Sequence, residues 1–184
     1  MRRLVVSEYV TLDGIVESPE QWQFPYLSPD VAEFIQTQIA GFETLLLGRR
    51  TYDMFAAAWP SRTNNEFGVA DKLNRLPKFV VSTTLQRVDW NNSTLIPKDV
   101  TKEVGRLKQG SKGEVAVIGS ATLARWLMEH DLVDEIRLLV HPVVVGRGQR
   151  LFPEGTKQVG MRLVESRVFQ SGVIGLSLQP APAK

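Results

Sequence analysis

Apolar positions along the chain alternate between two rhythms, short continuous runs and stripes at helical spacing. Leu4-Val5-Val6 opens a strand that extends toward Tyr9 and Val10. Thr11-Leu12-Asp13-Gly14 follows, and its Asp-Gly pair is a turn signal. Residues 17–28 hold two prolines with Trp22, Phe24 and Tyr26, which predicts a long loop kept ordered by its aromatic side chains. Ser28-Pro29-Asp30 then starts a helix, with Ser28 as N-cap, Pro29 in the first turn and Asp30 favourable to the dipole. Val31, Phe34, Ile35 and Ile39 form its apolar stripe, and Gly41 stops it.

The rhythm repeats downstream. Thr44–Leu47 is a short buried strand ending at Gly48, and the pattern turns helical through Tyr52, Phe55 and Ala56. Lys78–Ser82 is the next strand, and residues 99–108 form a helix with Val100, Val104 and Leu107 on one face. Glu114–Ile118 is a strand running into Gly119-Ser120 and a helix from Ala121 to His130. A long strand is expected over Glu135–Val145, then strands near 161–170 and 173–179. Strands alternating with helices predict a three-layer α/β fold with a doubly wound, mainly parallel sheet and an antiparallel C-terminal edge. Residues 1–180 are expected to form one domain, with 181–184 as a frayed tail.

Composition narrows the function classes. The 184 residues are 43% hydrophobic and 23% charged, ordinary for a globular protein. Cysteine is absent, which excludes disulfides, thiol nucleophiles and thiolate metal sites. No apolar run approaches the roughly 20 residues of a membrane helix, and the N-terminus lacks a signal-peptide pattern. These features read as a cytoplasmic protein without membrane attachment. The net charge of +2 is scattered, with no basic and aromatic interleaving that would suit nucleic acid. A small anionic ligand suits the surplus, and so does an ordinary solvated surface.

Two strand-to-helix junctions carry chemistry. In open α/β sheets, ligands bind beyond the carboxyl ends of the strands. At Gly48-Arg49-Arg50-Thr51 the glycine permits close backbone approach, and the helix start offers unpaired N–H groups to an anion. Arg49, Arg50 and Thr51 add side-chain donors. At Ile118-Gly119-Ser120-Ala121-Thr122-Leu123 small residues clear space, and two hydroxyls flank a second helix start. Each junction alone reads also as a turn or a plain cap, but a dinucleotide has phosphates for both. Ser82 and Thr83 end a third strand, where hydroxyls can meet a ribose or its 2′-phosphate. Asp13 and Asp30 are the candidate acids, each also explained as a turn former and a helix-start residue. Metal-ligand spacing and a nucleophile elbow are missing.

The ordered set Asp13-Gly14, Gly48-Arg49-x-Thr51-Tyr52, Ser82, Gly119-Ser120, His141-Pro142, Gly146-x-Gly148 and Leu151-Phe152 resembles the dihydrofolate reductase-like superfamily. It is most similar to the RibD C-terminal domain family, which includes the pyrimidine reductase of riboflavin synthesis, over residues 3 to about 178. The resemblance implies NADPH binding and hydride transfer without a metal. It places one part of the dinucleotide at Gly48, Arg49 and Thr51, and the adenosine end at Ser82 and Thr83. It places the pyrophosphate at Gly119–Leu123, and the nicotinamide along Val10–Gly14. Asp30 matches an acidic residue of folate reductases. Val140 stands where those enzymes carry a threonine, which argues against dihydrofolate. Trp22 and Val140 are expected at the substrate, a small heterocycle or carbonyl compound. Beyond Arg147 and Arg150, no basic pocket for a ribosyl phosphate is evident.

Two further readings stay open, a nucleotide-binding or regulatory module without turnover and a dihydrofolate reductase. The apolar strand from Ile136 and the terminal strands also suit a homodimer interface, although burial within the protein's own sheet explains them as well.

Overall fold

The computed structural model describes residues 1–181. Eight strands form one sheet: β1 (Arg3–Thr11), β2 (Phe42–Gly48), β3 (Lys78–Val81), β4 (Ser93–Ile96), β5 (Glu114–Ile118), β6 (Glu135–His141), β7 (Met161–Val168) and β8 (Ile174–Pro180). Their spatial order is β4-β3-β2-β5-β1-β6-β8-β7. All neighbours from β4 to β6 run parallel, and β6-β8-β7 is antiparallel. The expected α/β class with an antiparallel C-terminal edge is therefore observed.

Five helices cover the sheet: α1 (Pro29–Gly41), α2 (Arg49–Ala58), α3 (Ala70–Arg75), α4 (Val100–Lys108) and α5 (Ala121–Glu129). Successive strand residues point to opposite faces, and the two faces have different partners. Leu4 and Val6 of β1 and Ile136 of β6 pack with Val104 and Leu107 of α4 and Leu123, Ala124 and Leu127 of α5. The other face buries Leu45, Leu47 and Ala116 against Tyr52 of α2 and Leu73 of α3. Farther along that face, Tyr9 and Leu139 meet Val31, Phe34 and Ile35 of α1.

The three central parallel strands are fastened at their amino ends. Arg3 donates to Glu114 and Glu135, each at 2.6 Å. Arg137 donates to Glu135 at 2.7 Å and to both oxygens of Glu114 at 2.7 and 2.8 Å. Glu135 is only 3% exposed, so its charge is held by two arginines instead of water. Fully buried Lys78 donates to the Asn74, Leu76 and Asn91 carbonyls and lies 4.1 Å from the Trp90 ring centroid.

Several boundaries differ from expectation. The strand expected over 135–145 ends at His141, because Pro142 lacks the N–H that a ladder needs. The loop at 17–28 contains two 3₁₀ turns, Pro19–Gln21 and Phe24–Tyr26. Ser28 does not cap α1 with its hydroxyl, which donates to Asp30 instead. Gly41 is the last helical residue, and β2 begins directly after it. Helix α3 and strand β4 were not anticipated. Ala181, placed in the tail by its sequence, donates its N–H to Gly160 at 2.8 Å; residues 182–184 lie outside the described residues.

Candidate functional site

Strands β2 and β5 are adjacent, so the helices that follow them start side by side at the carboxyl edge of the sheet. A single side chain joins the two starts. The Ser120 hydroxyl accepts from the Gly48 N–H at 2.9 Å and donates to Thr51 Oγ1 at 2.8 Å. The two glycines make this proximity possible. A Cβ on Gly48 would lie 3.3 Å from Ser120 Oγ, and one on Gly119 would lie 3.3 Å from Thr51 Oγ1. Gly119 and Ser120 both adopt left-handed backbone, with φ of 60° and 62°. For serine this conformation is strained, and such strain clusters at functional positions.

The first N–H groups of a helix have no partner within it. In α5 the first intrahelical bond runs from the Ala124 N–H to the Ser120 carbonyl, at 2.9 Å. That geometry leaves the Ala121, Thr122 and Leu123 amides at a positive dipole end. The Ala121 and Leu123 side chains are buried, so only their backbone can meet a ligand there, whereas Thr122 is exposed. In α2, Thr51 is buried and Arg49 and Arg50 are exposed. The strand residues expected at the site also lie at this edge, with Ile118 ending β5 and Val10 nearly ending β1.

The third strand end joins this pair. Arg49 Nη1 donates to Thr84 Oγ1 at 2.7 Å, and its Nε lies 3.4 Å from Asp53. Ser82 Oγ accepts from the Thr84 and Leu85 amides, at 3.2 and 3.1 Å, which fixes the turn after β3. Thr83 is exposed on that turn. A depression of about 640 Å³, lined in part by Tyr52, Asp53, Leu85 and Trp90, adjoins the same corner.

A second group of loops closes over the end of β1. Gly14 turns with φ of 81°, and its carbonyl accepts from the Leu151 N–H at 3.0 Å. Asp13 accepts from Thr11 Oγ1 at 2.6 Å, from the Gly146 N–H at 2.7 Å and from the Val145 N–H at 3.2 Å. These bonds, with the Thr11 hydroxyl named first among the causes, lower its pKa to about 2. Gln149 Nε2 reaches Thr122 Oγ1 at 3.0 Å, so this loop touches the start of α5. Asp30 has a comparable task elsewhere. It accepts from Ser28 Oγ, from the Val31 N–H and, through its other oxygen, from the Gln170 N–H at 3.0 Å. The Ser28 hydroxyl leads these contacts in holding its carboxyl below the usual range.

On the α1 side, His141 is 3% exposed and is surrounded by the rings of Tyr9, Trp22 and Tyr26 at 5.0 to 6.0 Å. Burial lowers its pKa, which favours the neutral ring. Trp22 belongs to this cluster. Val140, the neighbouring β6 residue, points to the opposite face with Val10, so these two substrate candidates are not brought together.

Glu8 was not singled out from the sequence. Among parallel strands buried on both sides, a charged residue is itself the signal. Glu8 is 4% exposed, its Oε1 has no hydrogen-bond partner among the described residues, and burial raises its pKa to about 8.

Among the described residues, no group of three or more acidic, histidine or cysteine side chains could hold a metal ion. No described helix is long and apolar enough to cross a membrane.

Sheet order, paired helix starts and the closing loops define a dihydrofolate reductase-like fold, and comparison with known proteins resolves the family. Residues 2–175 match the RibD C-terminal domain model, and the chain belongs to that family. It is 29% identical over 178 residues to the uncharacterized protein YyaP of Bacillus subtilis, covering 94% of this chain and 92% of YyaP. Its fold matches that of a Shewanella sp. PV-4 protein ascribed to riboflavin biosynthesis, with a TM-score of 0.76 and 19% identity over 97% of this chain and 99% of the other. It also matches dihydrofolate reductase from Enterococcus faecalis complexed with NADP(H), with a TM-score of 0.64 and 13% identity over 97% and 96%.

Proposed function

We propose that this protein is an NADPH-dependent reductase that delivers hydride to a small heterocyclic substrate, pyrimidine- or pterin-like, or to a carbonyl compound. The observation that carries this reading is the Gly48–Ser120–Thr51 bridge, which brings two helix starts to one place. Backbone N–H groups on both sides and side chains withheld at Gly48 and Gly119 fit a pyrophosphate. Arg49 with Ser82, Thr83 and Thr84 supplies a cation and hydroxyls for a 2′-phosphate. Arg50 adds charge at the same edge. Val10 and Gly14 border the nicotinamide, and the bound cofactor supplies the hydride. The protein contributes position and exclusion of water.

Trp22 and the rings around His141 offer the substrate an aromatic wall, and Val140 an apolar one. Asp13 and Asp30 serve as loop clamps, since their oxygens already accept from their own chain. That engagement favours one second reading, a nucleotide-binding module of the same fold without turnover. The reductase reading places the protein in the cytoplasm, as a homodimer. Leu163, Val164 and Val168 on the edge strand β7 are 46–74% exposed and suit a partner copy. Light scattering at micromolar concentration tests the dimer, and a monomer there rules it out.

The deciding experiment is a parallel tryptophan-fluorescence titration with NADPH and NADH. Micromolar NADPH binding with much weaker NADH binding supports the cofactor reading. Binding of neither removes it. Oxidation of bound NADPH across a substrate panel then separates the reductase from the silent module.

A further inference from the structure

The depression of about 640 Å³ lies between α2 and the segment that joins β3 to β4, and its volume is that of a small-molecule site. It sits on the sheet face that α2 and α3 cover, whereas α5 packs on the other face. Hydrogen bonds fix its inner wall. The Tyr52 hydroxyl accepts from the Asp89 N–H at 2.9 Å and from the Trp90 N–H at 3.0 Å. The Trp90 indole donates to Asn74 Oδ1 at 3.1 Å, and Asn74 Nδ2 donates to the Trp59 carbonyl at 3.0 Å. A phenol oxygen that accepts twice still has its own hydrogen to donate. For Tyr52 that hydrogen finds no acceptor among the described residues. Tyr52 is 5% exposed and borders the cavity. A buried donor is costly without a partner, and the cavity is the open side from which one can come.

The rim indicates the chemistry of that partner. Asp53 of α2 and Asp89 of the β3–β4 segment border the cavity with one cation, Arg87. Asp53 lies 3.4 Å from Arg49, and Asp89 lies 3.2 Å from Arg87. Exposed pairs of this kind are weak, so both carboxylates remain open to another donor. Their excess over cations disfavours an anion. Ala56, Pro60 and Leu85 add apolar surface against which a ring can lie.

We propose that this cavity is a second small-molecule site, which takes an uncharged, amino-substituted heteroaromatic ring. A ring nitrogen or carbonyl oxygen of the ligand accepts from Tyr52 Oη, and its exocyclic amine donates to Asp53 or Asp89. The site is separate from the cofactor-suited helix starts, and its occupancy is independent of the NADPH reading.

The test titrates protein carrying ¹⁵N-labelled tryptophan with cytosine and follows the indole N–H resonances. Trp90 reports the cavity, and Trp22, whose indole donates to the Glu17 carbonyl, reports the cluster around His141. Trp90→Phe and Trp22→Phe assign the two signals. Cytosine is expected to shift Trp90 with saturation in the millimolar range and to leave Trp22 in place. Benzoate, an anionic ring of similar size, should bind there about tenfold more weakly or not at all. Tyr52→Phe removes the free donor and should weaken cytosine about fivefold or more. Tyr52 also holds the Asp89 and Trp90 amides, so Ala56→Leu gives an independent reading. It fills the cavity from α2, alters none of those bonds and should abolish binding. The proposal is overturned by an unmoved Trp90, by a shift of Trp22 instead, or by benzoate binding as tightly as cytosine. Unchanged affinity in Tyr52→Phe or Ala56→Leu overturns it as well. So does displacement of cytosine by 2′-phospho-ADP-ribose, because the cavity then belongs to the cofactor corner.

Discussion

The Gly48 N–H and the Ser120 hydroxyl meet across 2.9 Å although the residues stand 72 positions apart in the chain. Because the same hydroxyl also donates to Thr51, one side chain couples the starts of α2 and α5. Ser120→Ala leaves the half-buried Gly48 amide and the buried Thr51 hydroxyl without this partner, at a cost of about 1 kcal/mol. Calorimetry should show a melting point lower by roughly 2–4 °C. An unchanged melting point would mean that the bridge does not hold the two helix starts together.

Arg49 is the exposed cation nearest the hydroxyls that follow β3, bonded to Thr84 at 2.7 Å. Arg49→Ala should reduce NADPH affinity about tenfold or more and change NADH affinity little, since charge-assisted bonds to a phosphate are the ones lost. Parallel titrations read this directly. Equal losses for both cofactors would place Arg49 elsewhere on the ligand.

Asp13 ties the turn after β1 to the Val145 and Gly146 amides. Asp13→Ala should therefore speed amide hydrogen exchange at residues 143–148 without changing exchange in β1. The pKa of about 2 sets the pH window. A lowered carboxyl pKa contributes fully above the unfolded value near 3.9 and is lost as pH falls toward 2. Exchange in this loop should accelerate over that interval in wild type alone.

Glu8 has the opposite sign. Its pKa rises from 4.5 to about 8 on burial, so between those values the folded state holds a proton that the unfolded state has released. Stability then falls as pH rises through that window, by on the order of 1.4 kcal/mol per pH unit. Glu8→Gln removes the effect. The melting-point difference between Glu8→Gln and wild type should be small at pH 4 and widen toward pH 8. A difference that stays flat would show that Glu8 is ionised in the folded protein.

Much of the parallel core was legible from short apolar runs such as Leu4–Val6, Leu45–Leu47 and Val115–Ile118, and Gly48 and Gly119 marked the turns where helices begin. Strand β4 was not, because Ser93-Thr94-Leu95-Ile96 is a short edge strand paired on one side only, with too little apolar pattern to stand out. Val143-Val144-Val145 extended β6 on paper, while the missing N–H of Pro142 ended it in space. The phosphate-suited junctions were legible only as short stretches of neighbours in sequence, Gly48–Thr51 and Ile118–Leu123. Their contact through Ser120 depends on strand order, and no local pattern encodes strand order. Glu8 escaped notice for the same reason. A lone acid between Ser7 and Tyr9 is unremarkable until β1 is known to be a central strand.

The arginine and glutamate network at the amino ends of β5, β1 and β6 gives the sheet an electrostatic polarity. At the opposite rim, where Gly14, Gly48 and Gly119 lie, no ion pair among the described residues joins two strands. Charge fastens one pole of the sheet, and the other pole is left to backbone hydrogen bonds and the loops that close over it.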